Sequence, residues 1–149
     1  MESTFEFETE EHQRCYHAVA KFGRELFGEI TFRPLEDDSA FNMTHGSSNI
    51  HIIVIPVGQD RSVVRIVSSV ITDIEISEDL CRYLLELNSQ LTFGGFSLDE
   101  DGDICISHTI VGQTLDKDEI AASVTSICEI ADRYDDVIRN NYGGRRSVD

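Results

Sequence analysis

The chain has 149 residues, with 12 Lys+Arg against 28 Asp+Glu, so its formal charge at pH 7 is -16. This length fits one domain (residues 1–149, core about 9–142, short flexible termini) that buries its core without disulfides or metal. The negative charge and the scattered basic residues argue against nucleic acid and anionic lipid as partners. An acidic start and the lack of a long apolar run predict no signal peptide, no membrane span and a cytoplasmic location.

The cysteines and histidines show no metal-binding or redox pattern. Cys15, Cys81, Cys105 and Cys128 are far apart, contain no C-x-x-C pair and lie among apolar neighbours. This placement is typical of reduced core thiols. No two histidines have the spacing of ligands on a helix. We therefore expect no metal and no cofactor.

The first predicted element is an amphipathic helix from Thr9 to Phe27, ending near Gly28. Its apolar residues recur at helical spacing: Cys15, Ala18, Val19, Phe22 and Leu26. Residues 30–40 contain Pro34 and an acidic run, so they are predicted to be an irregular connection.

Three strand-like runs follow the connection and predict an antiparallel meander, at about residues 41–45, 49–57 and 62–72. Apolar residues of the second and third runs fall on both alternating faces, so the opposite face of the sheet can be covered as well. This region is close to neutral, because Asp60 is its only acid. The following segment, residues 73–103, is strongly acidic.

A second helix is predicted from Ser77, as N-cap, to about Leu91. Its apolar residues fill an arc of about 200°, roughly twice what a helix needs to dock on one core. Four leucines near the middle of this arc should face the chain's own core: Leu80, Leu84, Leu87 and Leu91. Cys81 and Leu85 flank them and are our candidates for a homodimer interface. The alternative is a helix that is embedded entirely in its own chain.

Asn88 interrupts the apolar arc of this helix. A buried amide needs hydrogen-bond partners. Asn88 can therefore hold the backbone near Gly94–Gly95 or fix the register of a partner chain, and the former is the preferred interpretation.

The C-terminal third is predicted to be a hairpin and a helix. Residues 96–99 pair with 103–111 around the Asp101–Gly102 turn. The last helix begins near Asp116 and has one apolar face: Ile120, Val124, Ile127, Ala131, Tyr134 and Ile138. The tail after Gly143–Gly144 is expected to be loose. The order α-β-β-β-α-β-β-α indicates an α+β fold, an antiparallel sheet with flanking helices.

Asp99, Asp101 and Asp103 imitate the opening of a calcium-binding loop. Such a loop needs glycine at its sixth position and glutamate at its twelfth. Here glycine is fourth and Ile110 is twelfth, so a solvated hairpin tip is expected instead. Neither a nucleophile elbow nor a glycine-rich phosphate loop occurs, and we predict no catalytic residues and no enzyme.

Four segments together resemble the YbjN family, whose domain shares its fold with the class I type III secretion chaperones: residues 62–68, 84–88, 95–104 and 131–135. The resemblance covers roughly residues 40–142, and the first helix fits by position only. It implies an α+β domain, a dimer of small acidic subunits, and a peptide-binding or regulatory role. It offers no catalytic residues.

The leading functional hypothesis is a non-enzymatic, chaperone-like module that holds an extended or partly folded segment of another protein. Acidic carboxylates would keep such a complex soluble. The candidate grooves are the outer part of the second-helix arc and the flank of the first helix at Phe22, Leu26 and Phe27. The alternatives are a signalling regulator that acts on one folded partner and an enzyme whose site is not visible in sequence.

Overall fold

A computed structural model of the chain describes residues 5–147. Within these residues three helices and seven strands follow one another: α1 Glu10–Phe27, β1 Arg33–Pro34, β2 Ala40–His45, β3 Ser48–Val57, β4 Arg61–Thr72, α2 Glu78–Gln90, β5 Gly95–Leu98, β6 Ile104–Val111, α3 Lys117–Tyr142 and β7 Arg145–Arg146. The predicted α+β class is confirmed. The predicted order is also found, with β1 and β7 as two additional two-residue strands.

Each helix begins at a residue whose side chain accepts a backbone N–H from its first turn. Thr9 caps α1, Ser77 caps α2 and Asp116 caps α3. These oxygens satisfy donors that have no partner inside the helix. The sequence therefore located two of the boundaries, at Ser77 and Asp116, through the chemistry of the cap.

The strands form one antiparallel sheet in the order β1-β2-β3-β4-β6-β5. Strands β2, β3 and β4 are the predicted meander, and β5 and β6 are the predicted hairpin. The hairpin joins the meander through β6, which pairs with β4. Strand β4 is therefore the centre of the sheet, with a neighbour on each side.

All three helices contribute to one core on a single face of the sheet. Helix α1 packs on β3 and β4, α3 packs on β4 and β6, and α2 lies along β5. On this inner face the strands contribute buried branched residues: Ile50, Ile52, Val54, Val64, Ile66, Ile104 and Ile106. Burial of such side chains is the main stabilising contribution to a domain of this size.

The outer face comprises the outward-pointing side chains of β2, β3, β4 and β6. The sequence did not decide whether this face is covered as well. No helix of residues 5–147 packs on it, and none of its Ile and Val residues belongs to the core cluster. Ile53, Ile55, Val63 and Val67 remain half-buried on this face.

The expectation of a loose tail is wrong for residues 145–147. Strand β7 pairs with the end of β4, and the Ser147 N–H donates to the carbonyl of Val70 at 3.0 Å. Arg145 forms an ion pair with Asp73. Strand β4 extends beyond the start of β3, so its last residues would have unpaired backbone groups without this tail. A two-residue strand has no periodicity by which the sequence could predict it.

The predicted irregular connection, residues 30–40, contains β1 and one anchored ring. Phe32 is only 2 % exposed and stacks on Phe41, with ring centroids 4.6 Å apart. Gly23 of α1 makes room for it, because a Cβ at Gly23 would lie 2.2 Å from the Phe32 ring. The connection is therefore docked onto the core by an aromatic contact that no helix or strand periodicity predicts.

Candidate partner-binding surfaces

Helix α2 presents the two sets of residues that the sequence distinguished. Leu80, Leu84 and Leu87 are buried in the core, and Leu91 is half-buried. Leu85 is 70 % exposed, and Cys81, one turn before it, is partly buried. The candidate interface residues therefore lie together on the outward side of α2.

Asn88 fixes α2 against the edge of the sheet. Its Nδ2 donates to the carbonyl of Phe96 at 3.1 Å, and the N–H of Phe96 donates to its Oδ1 at 2.7 Å. The amide thus pairs with β5 as a neighbouring strand would. Of the two roles predicted for Asn88, this is the contact with its own backbone, one residue beyond Gly94–Gly95.

Gly94, just before β5, lies where the backbone conformation and the packing both require glycine. Its φ is +68°, and a Cβ there would lie 2.5 Å from the carbonyl oxygen of Ser107. Its N–H donates to Nδ1 of His108 at 3.1 Å. Only glycine allows both this conformation and this close approach.

Phe22, Leu26 and Phe27 lie near the C-terminal end of α1, and all three are partly buried against the core. The Phe27 ring contacts Phe32 and His45, at 6.3 and 6.0 Å between centroids. The three side chains are half available to a partner rather than fully exposed. Helix α1 packs on β3, β4 and α3, whereas α2, which carries Cys81 and Leu85, packs on β5, so the two predicted surfaces belong to different parts of the fold.

The acidic tip of the β5–β6 hairpin is organised by its own backbone. Asp99 Oδ1 accepts the N–H groups of Asp101 and Asp103, at 2.9 and 3.0 Å. The ligand oxygens of the three aspartates lie within 4.8 Å of one another. Desolvation, with the nearby Asp99 carboxylate as a second cause, raises the pKa of Asp103. The Asp99 carboxylate therefore stabilises the turn through these two hydrogen bonds, which agrees with the predicted hairpin tip.

His12 is buried and has a structural network of its own. Its Nδ1 accepts the N–H of Glu8, and its Nε2 lies 2.8 Å from the hydroxyl of Ser39. That hydroxyl donates to the carbonyl of Val54. Because Nδ1 is an acceptor, Nε2 carries the proton and donates to Ser39. The sequence did not distinguish His12 from the exposed histidines, since its side-chain partner Ser39 is distant in the chain.

The outer face of the sheet is a surface that the sequence did not identify. Its signal was present in the apolar residues on both faces of β3 and β4. Such a pattern does not distinguish a sheet covered by its own chain from one that is open.

The chain combines helices on one face of a twisted antiparallel sheet with exposed apolar side chains on an acidic body. It belongs to the family described as T3SS (YopN, CesT) and YbjN peptide-binding chaperone 1, whose model matches residues 17–149. The resemblance to YbjN and type III secretion chaperones is thereby confirmed. No curated protein is similar enough in sequence to count as a match.

Solved structures show the same fold at low sequence identity. A chain in the crystal structure of the ExsC–ExsE complex is 14% identical, with a TM-score of 0.61, over 83% of this chain and 92% of that one. A chain in the HopA1–SchA chaperone–effector complex is 15% identical, with a TM-score of 0.62, over 83% of this chain and 96% of that one. Within residues 5–147 no helix is long and apolar enough to cross a bilayer.

Proposed function

We propose that this chain is a non-enzymatic holder of an extended or partly folded segment of another protein, and that it acts as a homodimer. Membership of a family of peptide-binding chaperones is the observation that carries this proposal. Exposed and half-buried apolar side chains on a body of charge -16 support it. The carboxylates keep the loaded complex soluble while the apolar surfaces bind the segment.

In this proposal the two predicted surfaces have different tasks. Leu85 and Cys81 on α2 pack against a second copy, because Leu85 extends from an otherwise docked helix into water. Phe22, Leu26 and Phe27 contact the held segment, with aromatic and branched side chains already positioned by the core. Pre-positioned side chains lose little freedom on binding, which favours affinity.

The experiment is capture of partner proteins on the immobilised chain, followed by brief proteolysis of what is captured. A holder binds a protease-sensitive segment, whereas a regulator binds one folded, protease-resistant protein. The Phe22→Ala/Leu26→Ala double variant should reduce capture, and Val137→Ala, at an exposed valine of α3, is the matched control. Protease-resistant capture, or equal capture by both variants with unchanged melting temperatures, would refute the proposal.

A further inference from the structure

Three apolar side chains from adjacent strands lie side by side on the outer face. Ile55 of β3 is opposite Val63 of β4, which is opposite Val111 of β6. We call these three residues the apolar row. Directly opposite residues in antiparallel strands have their Cβ atoms about 5 Å apart, so the row is continuous. Val111 is 54 % exposed, although valine is ordinarily a core residue.

Arg65 lies next to this row, near the centre of the outer face. It follows Val63 by two residues on the same face of β4 and is opposite Ile53 and Thr109. Its Nε is 3.5 Å from the Thr109 hydroxyl, a long contact. It forms no ion pair with any carboxylate of residues 5–147. Arg65 is thus a cation among branched apolar side chains without a charged partner in the described chain.

The charge of the outer face is opposite to that of the molecule. Its outward-pointing strand residues include His51, Arg61 and Arg65, and none of those on β2, β3, β4 and β6 is Asp or Glu. The whole chain has a charge of -16. A second copy docked face to face here would place the arginines of the two copies near each other, which is unfavourable. The complementary occupant is therefore apolar and acidic.

The backbone of β4 determines the form of that occupant. From Val63 to Val67, β4 pairs with β3 on one side and β6 on the other, so this part of β4 has no free backbone groups for an extended segment to pair with. An extended segment laid on this face would bury its own N–H and C=O groups unpaired, at considerable cost. A helix satisfies these groups internally and can present one apolar stripe.

We propose that the outer face binds an acidic amphipathic helix of the partner protein. The apolar row packs against the helix's apolar stripe, and Arg65 pairs with a carboxylate at the border of that stripe. This inference rests on the proposed function and adds a surface and a chemical class of ligand to it. Arginine suits this task because its planar guanidinium can bind a carboxylate through two hydrogen bonds.

The test uses two synthetic helical peptides of about 18 residues, long enough for about 27 Å of helix. Both have the same leucine stripe, bordered by glutamates in one and by lysines in the other. Fluorescence anisotropy measures their affinity for the wild type and for Arg65→Ala and Val111→Asp. The matched controls are Arg82→Ala on α2 and Val137→Asp on α3, both at exposed positions. Circular dichroism melts verify that each variant folds.

The acidic peptide should bind at least about tenfold more tightly than the basic one, and Arg65→Ala should remove about tenfold of that affinity. Val111→Asp should weaken binding further, while both controls bind as the wild type does. Equal affinity for both peptides, or no effect of Arg65→Ala, overturns the inference. If neither peptide binds while partner capture still succeeds, this surface assignment fails and the proposed function stands. If the acidic peptide binds in an Arg65-dependent way but no partner is captured, this surface assignment stands and the proposed function fails.

Discussion

The side-chain amide of Asn88 forms hydrogen bonds with both backbone groups of Phe96, at 2.7 and 3.1 Å. These two bonds fix the rotation of α2 relative to β5. They agree with the orientation in which Leu84 and Leu87 are buried in the core and Leu85 is exposed to water. Leucine burial and the Asn88 hydrogen bonds therefore both favour the orientation that exposes Leu85.

Replacing Asn88 with alanine should destabilise the fold by about 2 to 3 kcal/mol, because it leaves two backbone groups of Phe96 without partners. Asn88→Asp keeps the acceptor for the Phe96 N–H and should lose less. Urea unfolding measures both. Asn140→Ala, at an exposed position of α3, is the control and should change stability by less than about 0.5 kcal/mol. A loss in Asn88→Ala no larger than in the control would show that water satisfies these groups.

The sequence predicted those parts of the fold that local patterns determine. The leucine spacing of α2 and its cap at Ser77 identified the helix and its buried side. The Asp101–Gly102 turn identified the β5–β6 hairpin. The docking of Phe32 under α1 depends on side-chain contacts outside any helix or strand repeat, and the pairing of Arg145–Arg146 with β4 joins residues far apart in the chain. No local pattern of a single sequence contains that information.

The sequence could predict one of the candidate surfaces but not the other. Leu85 stands out because an apolar residue lies off the core stripe of its own helix, which is a local signal. The outer face could not be recognised, because apolar residues on both sides of β3 and β4 fit a buried sheet equally well. Arg65 can be assigned to this surface only when the strand register is known, because its neighbours Ile53 and Thr109 lie on adjacent strands.

Leu85→Asp should convert the proposed homodimer into monomers without loss of folding. Burying a leucine contributes about 1.5 to 3 kcal/mol, and a twofold interface contains it twice, so the dimer should weaken by orders of magnitude. Sedimentation equilibrium measures the effect. Val137→Asp on α3 is the control and should remain dimeric. A wild type that is monomeric at high micromolar concentration, or a fully dimeric Leu85→Asp variant, would refute the placement.

The four cysteines should react with a maleimide in a defined order. Cys15, Cys105 and Cys128 are buried and Cys81 is only partly so, so Cys81 should be labelled first in the folded chain. Burial is the main cause that raises the pKa of Cys105 to about 11, which further suppresses its thiolate at neutral pH. Mass spectrometry of peptides identifies the labelled site. If Cys81 lies in the dimer interface, its labelling should be slower at high protein concentration than at low concentration, and a rate independent of concentration would contradict that placement.

Asp103→Asn should stabilise the hairpin at neutral pH. The folded pKa of Asp103 is raised, so ionisation opposes folding and this penalty is present only above the ordinary range of an aspartate. The difference between variant and wild type should therefore shrink as pH falls through the raised pKa and vanish below the ordinary aspartate range. Thermal melts with and without micromolar calcium complete the test. We expect calcium to give no rise in melting temperature, and an increase that Asp103→Asn abolishes would indicate a metal site.

Glu11 connects α1 to β4 and should confer a pH-dependent part of the stability. Arg14 donates from Nε to its Oε2 at 2.7 Å, and the Ser62 hydroxyl donates to its Oε1 at 2.8 Å. The Arg14 hydrogen bond is the main cause that lowers the pKa of Glu11. A lowered folded pKa stabilises the native state above the ordinary glutamate range, and this contribution is lost as pH falls through the folded pKa. Glu11→Gln should cost about 1 kcal/mol at neutral pH, since Arg14 is half exposed and the ion pair is partly screened. Urea unfolding across pH should show this stability difference between wild type and Glu11→Gln closing in acid. Glu10→Gln is the control and should show no such difference. A difference that stays constant with pH would mean that the charge of the carboxylate does not stabilise this contact.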